Sequence, residues 1–182
     1  MELGHSDGVG ASLLRKEDDR FLRGKGHYIG DISLDGTREV AFVRSPVAHA
    51  RLLGVQIPES IRSSVFTAED LTDVKPIRAV SPLPGFKASE QPPLVTDKIR
   101  HVGELIAMCV ADTRAEAEDI AAQVMVDYDV LPAVVDMLDA QLSDAPRVHE
   151  SWNDNIYLEV SYDGDIESAA RQAPVSVARK VR

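Results

Sequence analysis

The feature that most constrains this sequence is an apolar strand followed at once by a capped helix. The stretch from Leu105 to Val110, LIAMCV, has the apolar run typical of a strand buried on both faces. Thr113 and Glu116 then have the spacing of a helical capping box. An apolar stripe at helical spacing follows, made of Ala117, Ile120, Ala121 and Val124. The order predicts an α/β unit whose helix covers a sheet.

Further strands are predicted on both sides of this unit. The segment 39–43, EVAFV, has a strand composition. The segment 51–57, RLLGVQI, places Leu53, Val55 and Ile57 on one face. After the helix, 124–130 alternates, with Val124, Val126, Tyr128 and Val130 on one side. Between the segments 51–57 and 105–110, Thr67 is predicted to cap a one-turn helix, and the proline-rich stretch 81–93 is predicted to be a surface loop.

The last forty residues have a different character. We expect a strand at 155–160, NIYLEV, and a turn at 163–165, DGD. A short helix closed by Pro174 is expected next, with Ile166, Ala169, Ala170 and Ala173 on one face. The final stretch 175–182, VSVARKVR, begins a new alternation, so the partners of this strand are expected to lie outside the sequence.

Charge and composition narrow the class of function. The net charge is −10, from 30 acidic and 20 basic residues, which disfavours nucleic acid and anionic membranes as partners. No apolar run is long enough to cross a bilayer, and the first residues lack the pattern of a secretory leader. A single cysteine fits a reducing compartment. The expected location is therefore the cytoplasm.

The stretch 44–52, RSPVAHARL, brings Ser45, His49 and Arg51 close together in sequence. One interpretation is a serine nucleophile with a histidine base. That chemistry needs a third orienting group and an exposed elbow, and no Gly-x-Ser-x-Gly motif surrounds Ser45. The other interpretation, which we favour, is a strand connection that begins with a serine–proline turn. In it His49 bonds to nearby backbone or carboxylate groups.

No other group of residues indicates a site strongly. The histidines at 5, 27, 49, 101 and 149 have no metal-ligand spacing, GKG at 24–26 is not a phosphate loop, and DGD lacks the ligand series of a calcium loop. Cys109 is expected to be buried and inert. Glu104, beside Arg100 and His101, could be a tuned acid, but a salt-bridged residue at a strand entry is favoured. We therefore assign no catalytic, cofactor-binding or metal-binding residue.

Six motifs occur in an order that resembles a known family. They are LLRKEDDRFLRGKGHYIGDI, VAFVRSPVAHARL, VFTAEDL, LVTDKIRHVGELIAM, ADTRAEAEDIAAQVMVDYDVLPAVVD and VHESWNDN. The chain resembles the N-terminal α/β hammerhead region of molybdenum hydroxylase large subunits, the xanthine dehydrogenase and aldehyde oxidase family. Its opening is most similar to aerobic carbon monoxide dehydrogenase large chains. The similarity covers nearly all of residues 10–160, and the family often has proline where this chain has Leu105 and histidine where it has Val47.

The resemblance implies an α+β fold, namely an α/β hammerhead with a mixed sheet and a covering helix. It implies an N-terminal arm at 1–24, the hammerhead at 25–140, and a linker and the start of a molybdopterin-binding domain at 141–182. The parent family uses a molybdopterin-type molybdenum cofactor, with 2Fe-2S clusters and FAD on partner subunits or domains. Its catalytic residues belong to a region that this sequence does not contain, so none is carried over.

Three hypotheses follow. The first is a non-catalytic structural and subunit-interface domain of a molybdopterin-dependent oxidoreductase. Its partners would be the remainder of the large subunit and the iron–sulfur and flavin subunits. The second is an independent interaction or assembly module related to molybdoenzymes. The third, an independent hydrolase that uses Ser45 and His49, ranks far below both.

Overall fold

The computed structural model describes residues 9, 15–162, 164–177 and 179, and contacts divide the chain into two units at Arg38/Glu39. In the first unit, helix α1 spans Asp18–Leu22 and a 3-10 helix spans Ile29–Asp31. The rings of Phe21 and Tyr28 stack with their centroids 5.8 Å apart. This aromatic pair closes the glycine-containing turn between the two short helices.

Among the residues that the structure describes, the second unit carries eight strands and two α-helices. In chain order they are β1 (Glu39–Arg44), β2 (Ala50–Gln56), β3 (Val65–Phe66), β4 (Ile77–Arg78), β5 (Glu90–Gln91), β6 (Lys98–Ile99), β7 (Leu105–Ala111), α2 (Arg114–Ala121), β8 (Met125–Val130) and α3 (Ile166–Gln172). Short 3-10 helices span Glu59–Ser64, Ala68–Leu71 and Asp139–Gln141. The proline-rich stretch 81–93 is a loop apart from β5, which pairs with β4.

The described strands form three small sheets, with the orders β1-β7-β3, β6-β2-β8 and β4-β5. The α+β class is confirmed. In place of the single mixed sheet that we expected, every described pair is antiparallel. The connection 45–49 carries the chain out of the sheet of β1 and β7 and into the sheet of β2. The consecutive strands β1 and β2 therefore do not pair with each other, whereas β4 and β5 do.

Helix α2 covers a sheet, as the sequence predicts. Its capping box is present, with the Glu116 N–H donating to the Thr113 hydroxyl at 3.3 Å and the Thr113 N–H donating to the Glu116 carboxylate at 3.1 Å. The buried side chain of Ala117 packs with Ala41 of β1 and Ala111 of β7. Small side chains on all three elements let the helix approach the strands closely. The flanking strands β7 and β8, however, belong to different sheets.

Strand β7 is buried on both faces and joins the two halves of the core. Ile106 packs with Ala50 and Ile99 of the β6-β2-β8 sheet. Cys109, two residues beyond Ala107, packs with Val65 and belongs to the second core cluster. The prediction for this strand is therefore confirmed, and its apolar run supplies both sides of the molecule's interior.

The predicted inner face of β2 is wrong at one position. Leu53 is 68% exposed, whereas Leu52 and Val55 pack against the core. The pairing of β2 with β8 shifts its register between Leu52 and Gly54, which marks a bulge. A one-residue irregularity exchanges the two faces of a strand, so simple alternation fails there. On β8 the prediction holds for Val126 and Tyr128 but fails for Val130, which is exposed.

The C-terminal predictions have mixed outcomes. Helix α3 is confirmed, and the Asp165 carboxylate caps it by accepting from the Ser168 N–H at 2.8 Å. The predicted strand at 155–160 is not formed, because the segment has no strand to pair with among the described residues. Residues 175–177 are likewise not in a strand. Asp163 of the predicted turn, and residues 178 and 180–182 of the predicted last strand, lie outside the described residues.

Candidate functional site

The serine of the 44–52 connection is bonded to its own loop. The Ser45 hydroxyl donates to the Val47 carbonyl at 2.7 Å and accepts from the Val47 N–H at 3.1 Å. The side chain is buried. A hydroxyl that both donates and accepts within a turn closes that turn, and it is not held against a base. This geometry agrees with the structural interpretation of the motif.

The backbone of Ser45 holds the turn that precedes β7. The Ser45 N–H donates to the Glu104 carbonyl at 2.9 Å, and the Gly103 N–H donates to the Ser45 carbonyl at 2.8 Å. Gly103 has φ = +84°, a conformation that side-chain-bearing residues rarely adopt. Arg44 adds a third bond, from its guanidinium to the Gly103 carbonyl at 3.0 Å. The two motifs RSPVAHARL and HVGE therefore form one junction.

Glu104 is buried at this junction, and its carboxylate accepts from the Arg100 backbone N–H at 2.5 Å. The expected salt bridge is replaced by a bond to backbone within the described residues. A carboxylate so placed closes the turn 100–104 and supplies an acceptor to a donor that would otherwise be buried unpaired. The Glu104 carboxylate is thus bonded to the backbone of the turn that it closes.

His49 is also buried, and it reaches across the domain. Its Nδ1 lies 2.6 Å from the Pro132 carbonyl oxygen, which can only accept, so Nδ1 carries the hydrogen. The Leu131 N–H donates to the His49 carbonyl at 2.9 Å. The Nε2 atom is buried and has no partner among the described residues. No hydrogen bond joins the His49 ring to the Ser45 hydroxyl in the described structure. The two side chains are therefore not brought together as a base and a nucleophile.

A buried lysine lies close to this junction, and the sequence analysis missed it. Lys98 of β6 is 2% exposed, and its ammonium donates to the Arg147 carbonyl at 3.1 Å and to Glu150 at 3.4 Å. Glu150 also accepts from Arg51 at 2.7 Å. The sequence carried no clear signal for this burial, because Lys98 lies between the charged Asp97 and the apolar Ile99. Only the fold brings the 147–150 stretch to it.

His149 lies among the same charges. Its ring is 4.3 Å from that of Trp152, centroid to centroid. Burial lowers the pKa of His149, and the positive charges of Arg100 and Lys98 lower it further, while the charge of Glu104 acts in the opposite direction. Neutral imidazole is therefore favoured at this position. Protonation of His149 is therefore coupled to the tertiary structure that buries it beside Arg100 and Lys98.

Residues 146–157 form a segment that we call the strap. Asn155 accepts from the Val148 N–H and donates to the Pro146 carbonyl, both at 3.0 Å. Lys87 donates to Asp154 at 2.6 Å, and its N–H donates to the Tyr157 carbonyl at 2.8 Å. The bond from Lys87, followed by that from the Ile156 N–H, lowers the pKa of Asp154. The strap is thus tied to the domain at both of its ends.

Side chains that can ligate a metal ion are dispersed over the described residues. Among them, no three His, Cys, Asp or Glu side chains are grouped so that they could hold a metal ion. Cys109 is buried in the core, and burial raises its pKa, which disfavours the thiolate that would bind a metal. His5 lies outside the described residues. No chemical step through the molybdenum cofactor of the resembling family is derived from these residues.

No helix among the described residues has the length and apolar character needed to span a bilayer. A groove of about 340 Å³ runs beside β2 and is lined by Leu53, Gly54, Arg62, Glu69 and Thr96, among others. The Arg62 guanidinium is engaged with the Val65 carbonyl at 2.6 Å and Asp70 at 2.9 Å. That cation is therefore used to hold the 59–71 segment.

The fold and these junctions define an α+β domain of the hammerhead type. The sequence profile described as "Aldehyde oxidase and xanthine dehydrogenase, a/b hammerhead domain" matches residues 23–132. The chain belongs to this family, and the resemblance noted from its motifs is confirmed.

Individual relatives are similar over most of the chain. The carbon monoxide dehydrogenase large chain of Hydrogenophaga pseudoflava is 36% identical over 139 residues, which are 74% of this chain and 17% of the relative. The nicotine 6-hydroxylase large subunit of Paenarthrobacter nicotinovorans is 35% identical over 70% of this chain and 16% of its own length. The crystal structure of quinoline 2-oxidoreductase from Pseudomonas putida 86 has a TM-score of 0.72 and 36% identity, covering 82% of this chain and 20% of that one. The chain therefore spans a fifth or less of these relatives.

Proposed function

We propose that this chain acts as the structural N-terminal domain of a molybdopterin-dependent oxidoreductase large subunit and is not catalytic by itself. Its role would be to pack against the cofactor-binding remainder of that subunit and to help form the subunit interface. The boundaries predicted above, with an arm at 1–24, the hammerhead at 25–140 and a linker at 141–182, are part of this proposal. So is a cytoplasmic location.

The observation that carries the proposal is how the side chains of the 44–52 connection are used. The Ser45 hydroxyl bonds to the Val47 carbonyl and the His49 Nδ1 bonds to the Pro132 carbonyl, so both side chains bond to the domain's own backbone. The Ser45 hydroxyl and the His49 Nδ1 are thus engaged within the fold, which leaves neither of these two atoms free to act on a substrate. The family membership indicates the class of enzyme in which such a domain would work.

The expected cofactors and partners belong to the same proposal. A molybdopterin-type molybdenum centre would be held by other parts of the enzyme, and iron–sulfur and flavin groups by partner subunits or domains. Bound there, the molybdenum centre would supply the hydroxylation chemistry. The relatives named above are called a large chain and a large subunit, which supports an assembly of several chains.

The proposal is tested by exchange of domains in a whole enzyme. The region of the Hydrogenophaga pseudoflava large chain that aligns with this protein is replaced by this protein, and the chimeric chain is produced with its natural partner subunits. We expect a soluble complex that contains molybdenum. The same exchange in the Pseudomonas putida quinoline 2-oxidoreductase repeats the test in a second host. Failure of both chimeras to assemble, while the isolated chain is folded, would contradict the proposal.

The independent hydrolase is tested separately on the isolated chain. We expect hydrolysis of p-nitrophenyl acetate at the rate of the uncatalysed reaction, with no change in the His49→Ala variant. Esterase activity that is abolished by His49→Ala and by Ser45→Ala, with both variants folded, would revive that hypothesis.

A further inference from the structure

Two buried polar atoms near the start of β2 have no hydrogen-bond partner among the described residues. They are Nε2 of His49 and Nε of Arg100. His49 is 6% exposed, and its Nδ1 carries the hydrogen that the Pro132 carbonyl accepts, so its Nε2 is an acceptor. The Nε of Arg100 is a donor. A buried donor and a buried acceptor are therefore both unpaired within the chain, which is costly unless another molecule pairs with them.

The strand register places these two residues opposite each other. The antiparallel pairing of β2 with β6 sets Ala50 opposite Ile99. One step back along β2, the same register sets His49 opposite Arg100. Opposite residues of an antiparallel pair have their Cβ atoms about 4.5–5.5 Å apart and project their side chains from the same face of the sheet. The unpaired acceptor and the unpaired donor thus belong to neighbouring side chains.

The face that carries both side chains lies under the strap. Arg51 and Lys98 are two positions from His49 and Arg100 on the same strands, so the alternation of a strand places all four on one face. Arg51 and Lys98 both donate to Glu150 of the strap, at 2.7 Å and 3.4 Å. The strap therefore covers the face on which the two unpaired atoms are buried.

Each of the two side chains is held in place by another of its atoms. The Arg100 guanidinium donates from Nη1 to the Lys98 carbonyl at 2.8 Å, and the His49 ring donates from Nδ1 to the Pro132 carbonyl at 2.6 Å. Rotation of either side chain toward the other would break one of these bonds. The geometry therefore favours a bridging molecule over a direct contact.

We propose that one ordered water molecule is bound between His49 and Arg100, where it accepts from the Arg100 Nε–H and donates to the His49 Nε2. A ligand at this place must offer an acceptor to the arginine and a donor to the imidazole. Water offers both, whereas a chloride ion has no hydrogen to donate and a metal cation would meet the positive charge of Arg100. Two protein partners lie within the range of two to four that buried waters have.

The bound water completes a hydrogen-bonded chain across the domain. It runs from the Pro132 carbonyl through the His49 ring and the water to the side chain of Arg100, whose backbone N–H donates to Glu104. The water thus connects the residues that leave β8 with the turn that precedes β7. The inference does not depend on the proposed function, because it concerns bonds within this chain.

A crystal structure of this chain, at a resolution that shows ordered water, tests the site directly. We expect a water oxygen within about 3.2 Å of both His49 Nε2 and Arg100 Nε. A direct bond between the two nitrogen atoms, an ion in place of the water, or a gap without ordered density would overturn the inference. This measurement uses the unmodified chain, so it stays decisive even if a variant fails to fold.

A double-mutant cycle gives a second readout in solution. His49→Asn keeps a side-chain donor for the Pro132 carbonyl and removes the acceptor at Nε2, and Arg100→Met removes the donor at Nε. Either substitution breaks one of the two bonds of the same water, so their effects should overlap. In urea unfolding, we expect the rise in the unfolding equilibrium constant of the double variant to be at least about threefold smaller than the product of the two single rises.

Arg78→Met provides the matched control for this cycle. Arg78 is an exposed arginine of β4 whose guanidinium bonds to Glu90 at 2.9 Å. Its effect should multiply with that of His49→Asn to within about twofold. Multiplicative effects of His49→Asn and Arg100→Met would overturn the inference. Overlapping effects together with a direct bond in the crystal would assign the coupling to contact between the side chains and would overturn it as well.

Discussion

The Nδ1 of His49 donates to the carbonyl oxygen of Pro132 over 2.6 Å, and the two residues are 83 positions apart. The bond joins the connection between β1 and β2 to the chain that leaves β8. The Leu131 N–H reinforces it by donating to the His49 carbonyl at 2.9 Å. A histidine that resembled a base in the sequence therefore acts as a long-range link between two parts of the fold.

Removal of this link should destabilise the domain. We expect His49→Ala to lower the free energy of unfolding by about 1–3 kcal/mol, because it leaves a carbonyl acceptor unpaired and opens space in a buried region. Urea unfolding followed by circular dichroism measures the loss. His101→Ala is the control, since His101 is exposed and its ring bonds to no described residue other than the adjacent Val102. Equal losses for both variants would contradict the structural role of His49.

The turn before β7 should depend on glycine. Gly103 has φ = +84°, so Gly103→Ala is expected to cost about 1–3 kcal/mol of unfolding free energy. Gly54→Ala is the matched control, because its φ is not positive and an added Cβ would meet nothing within 4 Å. Urea midpoints of the two variants give the comparison. A Gly103→Ala protein as stable as Gly54→Ala would show that the turn tolerates a side chain.

The buried Lys98 makes an asymmetric prediction. Glu150→Gln should lower the unfolding free energy by about 1–3 kcal/mol, because the buried ammonium loses its carboxylate partner. Lys98→Met should cost less, since Glu150 keeps Arg51 and solvent. In the double variant, Glu150→Gln should then have little further effect. A larger cost for Lys98→Met than for Glu150→Gln would refute this account.

His149 should make stability depend on pH. Its folded pKa is lowered by burial and by Arg100 and Lys98, so the unfolded chain binds more protons below about pH 6.5. The stabilisation is therefore fully present above that pH and is lost as the pH falls through the folded pKa. Urea unfolding between pH 8 and 5.5 should show the wild type losing stability relative to His149→Gln.

A direct titration of His149 distinguishes this cause from other groups. The NMR signal of its ring should titrate at a lower pH in the folded chain than in the same chain unfolded in urea. The same midpoint in both states would remove the basis for the pH dependence.

Cys109 should be unreactive until the domain opens. Burial raises its pKa and hides the sulfur in the core. We expect iodoacetamide at pH 8 to modify the folded chain at least about a hundredfold more slowly than the chain in urea, because only the exposed thiolate reacts. Mass spectrometry at timed intervals measures both rates. Rapid modification of the folded chain would mean that β7 opens easily.

Much of this protein is readable from short stretches of its sequence. The apolar run of β7, the Thr113–Glu116 capping box and helix α3 were all predicted, because each depends on residues within one or two turns of one another. The family followed from six ordered motifs, and the profile match over 23–132 agrees. Local hydrogen bonding and side-chain periodicity can be predicted from residues that are close together in the sequence.

Only the tertiary structure decided how these pieces combine. It separated β7 and β8 into different sheets, exposed Leu53 through a bulge, and buried Lys98 against a stretch some fifty positions away. In the part of the chain that the structure describes, it also left 155–160 without the strand partner that its alternation predicts. The physical reason is common to all of these: partners in sheets and ion pairs are chosen by long-range competition for burial and hydrogen bonds. A local pattern shows that a segment can pair but not with which other segment.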